Sequence, residues 1–386
     1  MKVVIAIDSL KGSLTSIEAG KAIKEGILNI VDAEVIVKPL ADGGEGTTEV
    51  LVEGLGGETV EVFVMGPQKD KIKAVYGYIA ESKTAIIEMA AAAGIMLVGE
   101  EKNPMEATTY GVGEMIKDAI NRGCRNFIIG IGGSATNDGG IGMLTALGFD
   151  FYDNNGNKLG IDANELEKIS IIFTENAMPE LSECNFKIAC DVSNQLCGEN
   201  GATYIYGPQK GVTEEIKEKL DKDMAHYAKV TKKYLNNDYS ETSGAGAAGG
   251  LGFAFLSYLH GDLQPGIELV IDTVKLEECI KDADYVITGE GCLDKQTAMG
   301  KAPVGVAKLA KKYDKTVIAL AGSVTDDAVK CNENGIDAYF PILLKVIPLQ
   351  EAMKKETARK NMVKTTEQIF RLISAVESKK DNIESR

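Results

Sequence analysis

The residues best suited to chemistry in this sequence are carboxylates that recur where an apolar run stops: Asp8, Asp42, Glu45, Asp138, Asp191, Glu290 and Asp294. Lys11, Lys210 and Lys301 stand in the same kind of glycine-rich loop. Together these groups suit phosphoryl transfer. Carboxylates can hold Mg²⁺, while lysines and backbone N–H groups neutralise phosphate, and one carboxylate can take the proton of an acceptor hydroxyl. Any one of these aspartates alone reads as a cap or turn residue, so it is the recurrence that points to an α/β enzyme with a phosphorylated ligand.

Residues 128–142 show the pattern most fully. Phe127, Ile128, Ile129 and Ile131 give way to Gly132, Gly133, Ser134, Thr136, Asn137 and Asp138, and residues 143–147 start a helix. Glycines permit positive φ and close approach of a ligand, and the N–H groups of a helix start favour anions. Two readings stand: a tight turn with an Asn/Asp cap, or an anion loop whose contacts are Ser134, Asn137 and the backbone of Gly132 and Gly133. Residues 244–252 match GxGxxG literally. The dinucleotide fingerprint needs a strand just before it, and residues 236–243 are polar and turn-like, which excludes the nicotinamide reading. Close helix packing remains, as does a backbone wall against a ligand that would include Gly246. There is no GxxxxGK[ST] loop, since Gly300 and Lys301 are followed by Ala302, and the HRD and DFG signatures of protein kinases are missing.

The elements that must position these loops follow from periodicity. Residues 3–7 form a continuous apolar run of the kind buried in a parallel sheet. Thr15 and Glu18 fit a capping box for a helix with an apolar stripe of Ala19, Ile23, Ile27 and Ile30. A strand at 35–37 and a helix ending near Leu55 come next. From residue 59 the pattern changes to alternation, with Val60, Val62 and Val64 on one face and a turn at 66–70. Strands are expected at 73–80, 84–89, 187–190, 284–288, 316–320 and 338–343, and helices at 111–121, 213–235 and 353–376. Strand–helix alternation at both ends predicts one Rossmann-like parallel-sheet domain built from residues 1–62 and 280–378. A second α/β domain, 63–279, is inserted into it, and 379–386 form a polar tail.

Composition narrows the classes. A net charge of −15 argues against nucleic acid or an anionic membrane as partner. Seven cysteines without a CxxC pair read as reduced packing thiols, and only two histidines, His226 and His260, make a histidine metal site or a Ser-His-Asp triad a poor fit. The N-terminal apolar run is cut by Asp8, too early for a signal peptide. The longest apolar window, 85–98, contains Glu88 and falls short of the ~20 residues a spanning helix needs. A soluble, cytoplasmic protein, monomer or homodimer, is expected.

Seven stretches also carry a resemblance. Residues 8–14 (DSLKGSL), 40–47 (LADGGEGT), 131–138 (IGGSATND), 190–192 (CDV), 207–211 (GPQKG), 244–252 (GAGAAGGLG) and 288–291 (TGEG) resemble, in order, the bacterial type I glycerate kinases. The match runs from Lys2 to about Ser374. It implies ATP-dependent phosphorylation of D-glycerate, usually to 2-phosphoglycerate, with Mg²⁺, in a two-domain α/β fold with one domain inserted into the other. Leu10, Gln195 and Cys292 stand where Phe, Pro and Arg are common. If that Arg meets phosphate in relatives, Lys295 is the cation left to replace it here.

On this reading both substrates lie in a cleft between the domains, closed to water so that ATP is not wasted. Residues 134–138 and 244–250 wrap the phosphate chain, Lys11 and Lys301 carry transition-state charge, and Asp42 with Glu290 or Asp294 holds Mg²⁺. Asp191 accepts the hydroxyl proton, with Asp8 the alternative. Lys210 is expected to meet the glycerate carboxylate, with Ser13 beside it in the substrate site. The alternatives are phosphorylation of the 3-hydroxyl, a different small hydroxy acid such as tartronate, or a non-catalytic sensor of the same ligands.

Overall fold

The structure, a computed structural model, describes every residue except Asp42, Glu45, Glu101, Ser385 and Arg386, and the side chains of 379–384 are left aside. Strand β1 (Lys2–Ile7), helix α1 (Ser16–Leu28), strand β2 (Glu34–Pro39) and helix α2 (Thr47–Leu55) come first. Strands β3 (Glu58–Met65), β4 (Lys71–Ile79), β5 (Thr84–Glu88), β6 (Asn126–Gly130), β7 (Asp150–Tyr152), β8 (Ile171–Phe173), β9 (Asn185–Ala189) and β10 (Asp262–Gln264) follow. Strands β11 (Tyr285–Leu293), β12 (Thr316–Val324) and β13 (Ala338–Pro341) precede a last helix, Lys355–Glu384.

Contacts divide the chain into two compact units, residues 1–42 with 270–386 and residues 43–269. In the first, the sheet order is β13-β12-β11-β1-β2 and every pairing is parallel. Val3 to Ile7 are all fully buried, as a central parallel strand covered on both faces requires. The capping box starts α1: Thr15 Oγ1 accepts the Glu18 N–H at 3.2 Å, and Glu18 accepts the Thr15 N–H at 3.2 Å. Ala19, Ile23 and Ile27 then pack with Met362, Val363 and Phe370 of the last helix. Ile23, Ile27 and Met362, fully buried, contribute about 1.5–3 kcal/mol each. Ser16 adds a clip, donating to the Ile7 carbonyl (2.8 Å) and accepting the Leu40 N–H (2.9 Å), so the ends of β1 and β2 are tied to the start of α1.

The second unit is built on the order β10-β9-β6-β5-β4-β3. Strands β10, β9, β6 and β5 are mutually parallel, while β4 and β3 run antiparallel at one edge. A small antiparallel pair, β7 and β8, lies beside it. The turn at 66–70 joins β3 to β4 as the alternation predicted.

Three expected boundaries differ. The proposed domain limit near residue 62 falls inside β3, a strand of the second unit's sheet. Strand β11 does not stop at Thr288 but runs to Leu293, paired with β12 as far as Val324. Position 289 requires glycine, because a Cβ there would lie 1.8 Å from the Leu320 carbonyl oxygen. Finally, the last helix continues to Glu384, through most of the segment expected as a tail.

Candidate active site

In open α/β sheets ligands sit beyond the carboxyl ends of the strands, at the point where the strand order reverses. Numbered within its own unit, the first sheet has the order 2-1-3-4-5, so the switch lies between β1 and β11. Asp8 and Lys11 follow β1, while Glu290 and Asp294 are in and after β11. The two segments touch: the Asp8 N–H donates to the Gly289 carbonyl at 2.9 Å, and a Cβ on Gly291 would lie 3.5 Å from the Lys11 backbone nitrogen. The intervening loop closes on itself through Leu10 N–H to Leu14 carbonyl (2.8 Å) and Ser13 N–H to Leu10 carbonyl (2.8 Å). Gly12 makes its bend at φ 75°. Among the described residues the Ser13 hydroxyl, though buried, has no hydrogen-bond partner.

Glu290 and Asp294 meet at Thr297. The Thr297 hydroxyl donates to Glu290 Oε1, while Asp294 Oδ1 accepts the N–H groups of Gln296 (2.8 Å) and Thr297 (3.0 Å) as the cap of a short helix, Lys295–Ala298. Burial alone would raise the Asp294 pKa. The Thr297 and Gln296 N–H groups and the Lys301 ammonium outweigh it and hold the carboxyl below its ordinary value. Lys301 itself sits at the start of the helix Ala302–Lys311. Asp42 lies outside the described residues. Among those described, no group of three or more His, Cys, Asp and Glu side chains forms a metal cage.

The second unit presents a different set at the C-terminal ends of its parallel strands. Asp191, two residues beyond β9, is exposed, and its Oδ1 accepts the Gly266 N–H at 2.8 Å. Residues 131–138 leave β6 as a loop with two halves. Gly132 and Gly133 are exposed and Ser134 sits at their inner edge. Thr136, Asn137 and Asp138 are completely buried. Asp138 accepts four hydrogen bonds, from the Thr109 N–H (2.8 Å) and hydroxyl (2.7 Å) and from the Gly140 (3.1 Å) and Gly142 (3.4 Å) N–H groups. Burial pushes its pKa up against those bonds. It therefore anchors the loop to the start of the helix Tyr110–Asn121, and the strand-end position that made it a candidate ligand is a packing position.

Three other expected contacts are reassigned by their surroundings. Lys210, read as the partner of a substrate carboxylate, is buried to 1% exposure and its Nζ donates to the Thr136 carbonyl at 2.7 Å. Desolvation pulls its pKa down to about 7, with Asp138 opposing the fall. The Gly246 N–H, read as a phosphate donor, goes to the Asn194 carbonyl at 2.9 Å. Asn137 is fully buried and its Nδ2 donates to Thr203 Oγ1 at 3.0 Å, so it supports the loop from inside. The glycines at 249 and 250 are packing positions. A Cβ on Gly249 would sit 2.1 Å from the Thr136 carbonyl oxygen, and one on Gly250 2.8 Å from the Gly139 Cα.

The sequence reading missed Glu88, which ends β5 and accepts the Thr48 N–H at 2.8 Å. A lone glutamate in an apolar window was the available signal. None of the seven cysteines is in a disulfide, and His226 meets the Ile169 carbonyl at 2.8 Å. No helix among the described residues is long and apolar enough to cross a membrane.

The molecule is thus an α/β protein with parallel sheets whose strand ends carry acidic side chains and glycine loops. Residues 3–374 match the profile of the Glycerate kinase family, and the chain belongs to that family. It is 47% identical over 356 residues to the Glycerate 2-kinase of Escherichia coli (strain K12), covering 92% of this chain and 93% of the relative. It is 44% identical over 376 residues to the Glycerate kinase of Haemophilus influenzae (strain ATCC 51907 / DSM 11121 / KW20 / Rd), covering 97% and 99%. The crystal structure assigned to glycerate kinase 2 from Salmonella typhimurium LT2 superposes with a TM-score of 0.91 at 42% identity, over 98% of this chain and 99% of that one.

Proposed function

We propose that this chain is an ATP-dependent kinase that phosphorylates the 2-hydroxyl of D-glycerate. The observation that carries the reading is the meeting of residues 8–13 with residues 289–294 at the strand-order reversal of a family member's parallel sheet. The choice of the 2-hydroxyl rests on the 47% identity to a relative named Glycerate 2-kinase.

In this mechanism Asp191 takes the proton from the glycerate hydroxyl as it attacks phosphorus, with Asp8 the alternative base. One oxygen of Asp191 is occupied by the Gly266 N–H, which fixes the carboxylate's direction. Lys11 and Lys301 offset charge on the transferring phosphoryl group. The backbone of Gly132 and Gly133, with Ser134, lines the phosphate chain, and Ser13 hydrogen-bonds substrate. Lys210, Asn137 and Gly246 act behind that surface.

The donor set fits Mg²⁺, which prefers one or two carboxylates plus phosphate oxygens and water. Glu290 and Asp294, both bonded to Thr297, would hold it, together with Asp42. Bound there, the ion supplies positive charge at the phosphate oxygens.

A coupled assay for ADP across D-glycerate, L-glycerate, tartronate and lactate, with NMR of the product, tests this reading. ADP release with D-glycerate and phosphorus coupling at C2 are expected. Coupling at C3 moves the hydroxyl assignment, preference for tartronate moves the substrate, and saturable binding without ADP release overturns the enzyme reading.

A further inference from the structure

Helix α2 starts from Gly46, at φ 89°, and has no side-chain cap of its own. The first N–H groups of a helix lack internal partners and need acceptors. Here an acceptor comes from 40 residues away in sequence: Glu88 Oε1 takes the Thr48 N–H at 2.8 Å. A carboxylate at this end of a helix also complements its dipole.

The same glutamate stands at the loop that leads into α2. Glu88 is in register with Gly130 of β6. A Cβ on Gly130 would lie 2.8 Å from the Gly43 carbonyl oxygen and 3.9 Å from Glu88 Cγ. On the far side a Cβ on Gly43, at φ 87°, would lie 2.8 Å from the Gly266 Cα and 3.0 Å from the Ala189 Cβ. Gly266 in turn donates to Asp191. The chain around Gly43 is therefore laid across the ends of β6 and β9 with a carboxylate at each side. Glu88 holds the first turn of α2, and Asp191 holds Gly266.

We propose that Glu88 is a positioning residue: through the Thr48 N–H it fixes the start of α2, and with it the chain at Gly43, on the strand ends beside Asp191, and it touches no reacting atom. This rests on the kinase reading of those strand ends. A glutamine offers the same acceptor oxygen without the charge, so it separates a clamp from proton transfer, which needs the carboxylate.

The test uses the full chain with Glu88→Gln and Glu88→Ala, measuring kcat and KM for both substrates and amide hydrogen exchange across residues 43–55. Displacement of a loop by about 1 Å costs on the order of 10²-fold in rate. Glu88→Ala is expected to lose about 10- to 100-fold in kcat/KM, with faster exchange confined to the start of α2. Glu88→Gln is expected to stay within about threefold of wild type on both readouts. If the alanine variant does not fold, Glu88→Asp takes its place. It keeps the charge but withdraws the oxygen, and is expected to be slow and fast-exchanging. A glutamine variant as inactive as alanine, with exchange unchanged, overturns the proposal, as does full activity in all variants. The exchange readout needs no turnover, so a wild type that releases no ADP refutes the kinase reading while the clamp is judged on exchange alone.

Discussion

The two units place the same residue types at the ends of parallel strands and treat them in opposite ways. In the first unit Glu290 and Asp294 gather at one threonine, and Asp294 is held in its charged form by N–H groups and Lys301. In the second unit Asp138 and Lys210 sit completely inside, where desolvation pushes both towards neutrality. The difference is one of burial rather than motif. The first unit keeps Asp294 partly exposed just past the end of a central strand, where backbone N–H groups and Lys301 support its charge. The second uses its buried acid and amine as struts that hold a glycine loop in place, and leaves the outer half of that loop, with Asp191, accessible. Of the two aspartates at these strand ends, chemistry is thus expected to depend on Asp191 and structure on Asp138.

The largest effect that could break this comparison is on Asp191 itself. Asp191→Asn keeps an oxygen for the Gly266 N–H, so that backbone hold survives while the base is lost. Turnover is expected to fall by about 10²–10⁴-fold with ATP affinity by titration calorimetry little changed. Near-normal turnover would remove Asp191 from the mechanism and make the second unit wholly structural.

Paired glycine substitutions sharpen the contrast next. Gly249 is at φ 67° and a Cβ there would run into the Thr136 carbonyl oxygen, a backbone atom held on its other side by Lys210. Gly249→Ala is expected to cost about 3 kcal/mol or more in chemical unfolding. Gly12, in the first unit, is at φ 75°, yet a Cβ there would meet only the flexible end of Met353 at 2.9 Å. Gly12→Ala should therefore cost only its left-handed backbone term, about 1–2 kcal/mol. Equal losses at the two positions would show that the second unit's loop is no more tightly built than the first's.

Much of this layout was legible in the sequence, for reasons that differ by element. The unbroken apolar run before Asp8, the Thr15 and Glu18 capping box and the alternation from Val60 are local patterns, and local patterns set local structure. The loops that follow strands were legible too, because glycines and small polar residues interrupt those runs. What sequence could not show is which side of a loop faces the interior. Gly132 and Asp138 belong to one motif, yet one is exposed and the other has no exposure at all. Lys210 read as a free cation because lysines are rarely buried, and the carbonyl it meets is 74 positions away. Glu88 was hidden for the converse reason: as a single acid in an apolar strand it marked only a break in hydropathy, and the helix it caps begins far upstream. The end of β11 was missed because Gly289 and Gly291 read as loop formers. Strand pairing with β12 decides otherwise, and β12 arrives later in the chain.

The smallest effect is also the most specific to a buried strut. Lys210 in the folded chain gives up its proton at about pH 7, against an ordinary value of 10.5. Above the unfolded value both states are neutral and burial of the amine carries no ionic cost. As pH falls from there towards 7, the unfolded chain binds a proton that the native one does not. Native stability then drops by up to about 1.4 kcal/mol per pH unit. Below about 7 the native state is protonated as well and the cost stays constant. Lys210→Met removes this linkage but also strips the Thr136 carbonyl of its donor, a loss of about 1–3 kcal/mol that does not vary with pH. The stability of wild type relative to Lys210→Met, from denaturant unfolding at pH 6.5 to 10, is therefore expected to rise steadily through the window above pH 7. A difference that stays flat there would mean that the ammonium keeps its proton in the folded protein. The strut would then be an ion stabilised from within, and the two units would handle charge alike.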